Sequence, residues 1–135
     1  MSTPFSIPVR VYYQDTDAGG VVYHARYLDF MERARTELLN ARGFDFVRLA
    51  DRNRILFMVH GMTVRYHRPA RLNDLLAATA RAATLGPASV DFEQRVERGP
   101  ELLVEARVRV ALVDRDRQRP VRMPAALRQI LEQTR

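Results

Sequence analysis

Two carboxylates and a histidine bracket a pair of glycines near the start of the chain. In the stretch Tyr12 to Arg42, YYQDTDAGGVVYHARYLDFMERARTELLNAR, Asp15 and Asp17 precede Gly19 and Gly20, and His24 comes just before a helical pattern that runs to Gly43. A helix start presents unpaired backbone N–H groups and a partial positive charge, so it can polarise a carbonyl oxygen while a nearby carboxylate does the chemistry. The residue types and their order therefore point to an active site. The bland alternative is that Asp15 and Asp17 bracket a turn or cap the helix, and that His24 is a satisfied buried side chain.

Two other acidic chemistries fail on the residues present. A DxD after an apolar strand suits enzymes that form an aspartyl phosphate, but these need a larger α/β domain and normally a downstream Lys, and this chain has no Lys. DTDAGG could open a calcium loop, yet the twelfth position is Arg26 where a bidentate Glu is required. His24, His60 and His67 show no metal-ligand spacing, and without cysteine there is no thiolate nucleophile, disulfide or Cys-based zinc site. No metal is predicted. His60 and His67 read as ordinary strand residues.

The elements that must position these groups fit one domain, residues 1–135, with 47% hydrophobic and 28% charged residues as in a soluble globular protein. No apolar run approaches the roughly 20 residues that span a bilayer. The opening MSTPFSIPVR lacks a basic n-region and an apolar h-region, so no secretory signal is predicted and a cytoplasmic location is the expectation. The net charge of +6 comes from 22 basic residues, all Arg. Arg suits phosphate through its bidentate fork, but wholesale Arg usage reads as a bias of composition rather than a site, and no nucleic-acid partner is predicted.

Ile7 to Tyr13 alternates as a first strand, with Pro8 marking an edge or a strand start. Gln14 to Gly20 is a turn, and a helix follows over roughly His24 to Arg42. Its stripe is Tyr27, Met31, Ala34, Leu38 and Ala41, with an i, i+4 pair of Asp29 and Arg33 and a stop at Gly43. The crowd of large residues in its first half makes this helix central. Phe44 to Arg54 reads as an irregular connection with a short helical turn, and Ile55 to His67 as a long strand bent near Gly61. Leu75 to Leu85 is rich in alanine, which favours helix, yet its boundaries and the turn at Gly86 and Pro87 favour strand. Two half-buried strands follow, one carrying Val90, Phe92, Gln94 and Val96 on one face, the other Leu102 to Leu112. After a charged turn at Asp114 to Arg119, Val121 to Met123 is read as a short edge and Ala125 to Gln133 as a terminal helix. The predicted fold is α+β: an antiparallel sheet wrapped around one long helix.

The run VYYQDTDAGGVVYHARYLDFMERARTELL closely resembles the opening of acyl-CoA thioesterases of the hotdog fold, of the 4-hydroxybenzoyl-CoA thioesterase and YbgC-like kind, and VRYHRPARLNDLL resembles a later strand and loop of that family. The resemblance extends to about Pro124 and implies a hotdog fold that assembles through edge strands into homodimers and often homotetramers, with active sites at subunit boundaries and acyl-CoA as substrate. No cofactor is implied. By motif position Asp17 matches the catalytic carboxylate, as general base or nucleophile. His24 matches the helix-start position whose backbone N–H faces the thioester oxygen, with its imidazole able to assist near neutral pH. Tyr13 matches a tyrosine near the site, and Asp15 is assigned a structural role. Gly19 and Gly20 let the chain bring these groups to the substrate. Arg65 and Arg68, with Arg71, are candidates for the CoA phosphates, a solvated loop being the alternative. Tyr23 and Tyr27 read as helix packing. Acyl carrier protein in place of CoA, and a hotdog binding module that has lost catalysis, are the rival functions. A hotdog dehydratase would need a differently placed His and acid pair.

Overall fold

The computed structural model describes residues 4–135; the first three residues of the opening read as lacking a leader lie outside that range. In chain order the elements are β1 (Phe5–Arg10), a single 3-10 turn (Tyr13–Asp15), α1 (Arg26–Ala41), α2 (Phe46–Arg52), β2 (Ile55–Tyr66), β3 (Leu75–Leu85), β4 (Ser89–Arg98), β5 (Glu101–Asp114) and α3 (Ala125–Glu132). The five strands form one antiparallel sheet in the order β1-β3-β4-β5-β2. Pro8 sits in the edge strand β1, where its missing N–H costs the ladder least. The register of β2 against β5 shifts between Val59 and Gly61, which is the bend expected there.

The sheet is built so that α1 can lie on it. On the inner face of β3, Leu76, Ala78, Ala80 and Ala82 are all buried, and α1 rests across β3, β1 and β4 with Tyr27, Phe30, Met31, Ala34, Leu38 and Leu39 in the core. The alanines that make β3 look helical are thus small side chains that admit a helix at close range. Gln94 pins helix to sheet: its Nε2 donates to the carbonyls of Met31 (2.9 Å) and Thr79 (3.0 Å), and its Oε1 accepts from Arg35 Nη1 at 2.7 Å. The helix ends in a Schellman closure, Gly43 N–H to Asn40 O (3.0 Å) and Phe44 N–H to Leu39 O (2.8 Å).

Several boundaries differ from the sequence expectation. β1 ends at Arg10 rather than Tyr13, because Val11 N–H turns to Asp74 O and Tyr13 opens the 3-10 turn. α1 begins at Arg26, since His24 and Ala25 form a preceding turn closed by Arg26 N–H to Tyr23 O. Asp29 pairs with Arg26 (3.3 Å) instead of Arg33, whose guanidinium lies over the Phe30 ring. Ala41 is exposed and Arg35 takes a buried place on the helix. The connection after Gly43 contains α2, a helix of 7 residues capped by Asp45, which accepts from Val47 N–H at 2.7 Å. Val121 to Met123 adds no strand: Pro120 alone bridges Val113, and Met123 N–H leaves for Pro87 O. The terminal helix forms as expected after Pro124.

Candidate active site

Between the 3-10 turn and α1 the chain makes a small hairpin. Thr16 bridges Val22, Asp17 N–H donates to Val21 O and Tyr23 N–H donates to Asp15 O, each at 2.9 Å for the two hydrogen bonds. The two carboxylates of this hairpin have opposite surroundings. Asp15 is buried, its Oδ2 accepting from Tyr12 N–H at 2.8 Å and its Oδ1 lying 3.8 Å from Arg26 Nε, so it holds the hairpin to the helix start. Asp17 is exposed, and among the described residues only its Oδ1 is engaged, by Gly19 N–H at 2.8 Å. A Cβ on Gly19 would stand 3.1 Å from that same oxygen, and Gly20 has φ +80, a left-handed backbone that turns the tip back. Glycine thus suits both positions of the tip, by close approach at Gly19 and by backbone conformation at Gly20.

The helix start is left open. Its N-cap is Ala25, with no side chain to accept from the first turn. Arg26 N–H and Leu28 N–H are taken by the carbonyls of Tyr23 and Ala25, but among the described residues neither His24 N–H nor Ala25 N–H has an acceptor. Such donors are available to an oxyanion. The direction of the Ala25 N–H is set by Tyr66, whose hydroxyl donates to His24 O at 3.0 Å; because the peptide is planar and trans, holding that carbonyl puts the Ala25 N–H on the opposite side. The rings of His24 and Tyr66 meet edge-on at 6.3 Å, and those of Tyr66 and Tyr27 at 5.8 Å. Tyr27 accepts from Ala70 N–H at 3.0 Å. Burial pushes both phenols above their ordinary pKa, for Tyr27 against the opposing pull of the Ala70 N–H, so each stays protonated through the neutral range. Beside them lies a cavity of about 250 Å³ lined by Val22, His24, Tyr27, Tyr66, Arg68 and Pro69.

Within one chain the structure gathers some of the expected residues and separates others. His24 and Arg68 line the same cavity, and Arg68 Nη1 lies 3.3 Å from Glu101 at its rim. Asp17 shares the hairpin with His24 but makes no hydrogen bond to it; the chain from Val21, its backbone partner, to His24 spans at most about 11 Å. Tyr13 is 82% exposed, and its hydroxyl makes no hydrogen bond to Asp17 or His24. Arg65 projects from the outer face of the sheet with Thr63 and Arg107, away from His24. Tyr27 is core packing as expected, whereas Tyr23 precedes the helix, is 46% exposed and meets the His24 ring at 4.5 Å with the planes tilted. His67 lies just past β2 and pairs with Glu105 at 3.1 Å. Tyr66 was not anticipated, although its place at the end of an alternating strand, on the apolar side, was visible. Among the described residues no cluster of three or more His, Asp or Glu is placed to hold a metal ion, and no helix is long and apolar enough to cross a membrane.

Comparison with known proteins places the chain in a family. The family model described as "Thioesterase-like superfamily" matches residues 11–131. The chain is similar to the acyl-CoA thioesterase YbgC of Haemophilus influenzae, at 47% identity over 120 residues that cover 89% of this chain and 88% of that protein. It is similar to the acyl-CoA thioester hydrolase YbgC of Escherichia coli, at 45% over 127 residues, 93% of this chain and 94% of that one. Among solved structures, a probable thioesterase from Bartonella henselae superposes with a TM-score of 0.86 at 38% identity, covering 90% of this chain and 100% of that chain. The fold, the open helix start and these matches together make the chain a member of the Thioesterase-like superfamily, within its YbgC-like group of hotdog-fold thioesterases.

Proposed function

We propose that the protein hydrolyses acyl-CoA thioesters to the free acid and CoA, with Asp17 as general base or nucleophile and the backbone N–H groups at His24 and Ala25 holding the carbonyl oxygen. The observation that carries this is the pair of acceptor-free N–H groups at an uncapped helix start, in the same hairpin as an exposed carboxylate with one free oxygen. The relatives' names, acyl-CoA thioesterase and acyl-CoA thioester hydrolase, support the substrate class. In the general-base course, water adds to the thioester carbon as its proton passes to Asp17. Negative charge builds on the carbonyl oxygen against the two N–H groups, and the carbon–sulfur bond then breaks with the proton returning to the departing thiolate. In the nucleophilic course the Asp17 carboxylate adds to the thioester carbon and the carbon–sulfur bond breaks with loss of the CoA thiolate, giving a mixed anhydride. Water then opens the anhydride to the free acid, and the Asp17 carboxylate is restored as the water's proton passes to the thiolate. Arg68, at the mouth of the cavity, is the basic residue best placed for the CoA phosphates.

The test is thiol release from a panel of acyl-CoAs and acyl carrier protein thioesters. Asp17→Asn is expected to lower kcat by about 10²–10⁴-fold, the range of a lost general base, with melting temperature unchanged. Unimpaired turnover in the folded variant would overturn the assignment. A correctly folded wild type with no activity on any thioester would favour a binding module.

A further inference from the structure

The inner face of β2 is apolar along its length. Phe57, Val59, Met62, Val64 and Tyr66 pair with Leu112, Val110, Val108, Ala106 and Val104 of β5. That is the helix side of the sheet, because Gln94, opposite Ala106, donates to Met31 O of α1. Yet α1 rests over β3, β1 and β4, so Val59, Met62 and Tyr66 remain 47%, 41% and 48% exposed. One end of this apolar track is Tyr66, bonded to His24 O. The other end opens into a cavity of about 310 Å³ walled by Phe46, Ile55, Phe57 and Val59, with Glu32 and Arg35 entering from α1.

Arg35 is out of place in such a cavity. The residue is only 9% exposed, and among the described residues it forms no ion pair within 4.0 Å and one side-chain hydrogen bond, to the neutral Gln94. A guanidinium has five donors and stays charged at neutral pH, although burial draws the pKa of Arg35 below the ordinary value while Glu32 opposes this. Among the described residues, no buried side-chain nitrogen is left without a partner, so the unused donors of Arg35 are those that keep some surface, and that surface faces the cavity it lines. Glu32 is exposed at the mouth, where solvent screens it. A buried cation whose only partner is neutral is best satisfied by an anion that arrives with the ligand.

We propose that the acyl group of the substrate lies along the inner face of β2 and that Arg35 receives a carboxylate at its far end, so that acyl groups with a terminal carboxylate are the preferred class. This rests on the thioester hydrolysis proposed above. Arg35 stands about 14 Å along the helix axis from Arg26, so short acyl groups end before reaching it. The charge of Arg35 calls for an anionic occupant, and a second copy of the chain pairing along the edge of β2 would use the strand's backbone and leave these side chains to the ligand.

The test compares kcat/KM for methyl-ended and carboxylate-ended acyl-CoAs of matched length, from six to twelve carbons as a probe series. The wild type is expected to favour the carboxylate-ended member at least tenfold at one length. Arg35→Met is expected to reduce that ratio at least tenfold, and Arg35→Lys to restore part of it. A merely structural role would lower both members equally and leave the ratio unmoved. If Arg35→Met fails to fold, the wild-type ratio still decides. Equal use of both series, or preference for methyl ends, would overturn the carboxylate pocket while leaving the thioesterase reading intact. No turnover of any member would overturn both.

Discussion

Asp15 and Asp17 differ by two positions, and their environments are unlike. Asp15 spends its carboxylate on Tyr12 N–H and Arg26 from a buried position, while Asp17 keeps an oxygen free at an exposed tip. The sequence marked both residues as acids in a turn, and the resemblance separated them. Tyr66 and Arg35 were harder to see, because each sits one step off a pattern that was read for packing: Tyr66 closes an alternating strand, and Arg35 adjoins Ala34 on the apolar stripe of α1. Only the fold shows that the Tyr66 hydroxyl reaches His24 O across 42 positions of chain. If that bond holds the Ala25 N–H in line, Tyr66→Phe should reduce kcat by about tenfold with little change in KM, because the N–H matters most when the oxyanion forms. Stability should fall by no more than about 1.5 kcal/mol, the worth of one hydrogen bond. Since the phenol stays protonated through the neutral range, the ratio of wild-type to variant rate should be flat from pH 6 to 8. An unchanged kcat would show that the helix start is held by other contacts.

At the scale of elements, legibility followed the source of each boundary. Strand β3 was legible from its flanking turns even though alanine argues for helix, because α1 needs small residues beneath it. The ends of β1 and the start of α1 were not, since both are set by hydrogen bonds to distant or irregular backbone, Val11 to Asp74 and Arg26 to Tyr23. On the outer face of the sheet, β4 carries alternate acids that the neighbouring strands answer with Arg. Asp91 takes Arg109 at 2.7 Å, and Glu93 takes both Arg107 at 2.6 Å and Arg81. These hydrogen bonds, with the charges behind them, hold both carboxyls below the usual carboxylate range. A depressed folded-state pKa adds stability that is present above the unfolded value, about 3.9 for Asp and 4.3 for Glu, and is lost as pH falls through the folded value. Melting temperature should therefore be insensitive to pH from 6 to 8 on their account and drop below about pH 4. Asp91→Asn should be less stable at pH 7 and flatten that acid limb; an acid limb as steep as the wild type's would place the titration elsewhere.

For the whole molecule, the two edges of the sheet are unlike. The β1 edge has 6 residues and contains Pro8, which removes a donor, whereas the β2 edge has 12 residues, no proline and an exposed Met58 on its outer face. A long edge with its backbone unpaired is a template for another strand, and a closed twofold pair is the commonest way to satisfy it. We therefore expect a homodimer through β2. Met58 lies on the outer face of that strand, opposite Ala111 and away from His24 and the apolar track, so Met58→Lys should set like charges near one another across the pair without touching either. Sedimentation should then report a species near 15.6 kDa for the variant and about twice that for the wild type, with the variant's melting temperature lower. A wild type that sediments as a monomer across the micromolar range would refute pairing at this edge. A dimeric Met58→Lys would move the contact away from Met58, and because the helix start and Asp17 are built within one chain, the residual activity of a dissociated variant measures how much of the site the second copy completes.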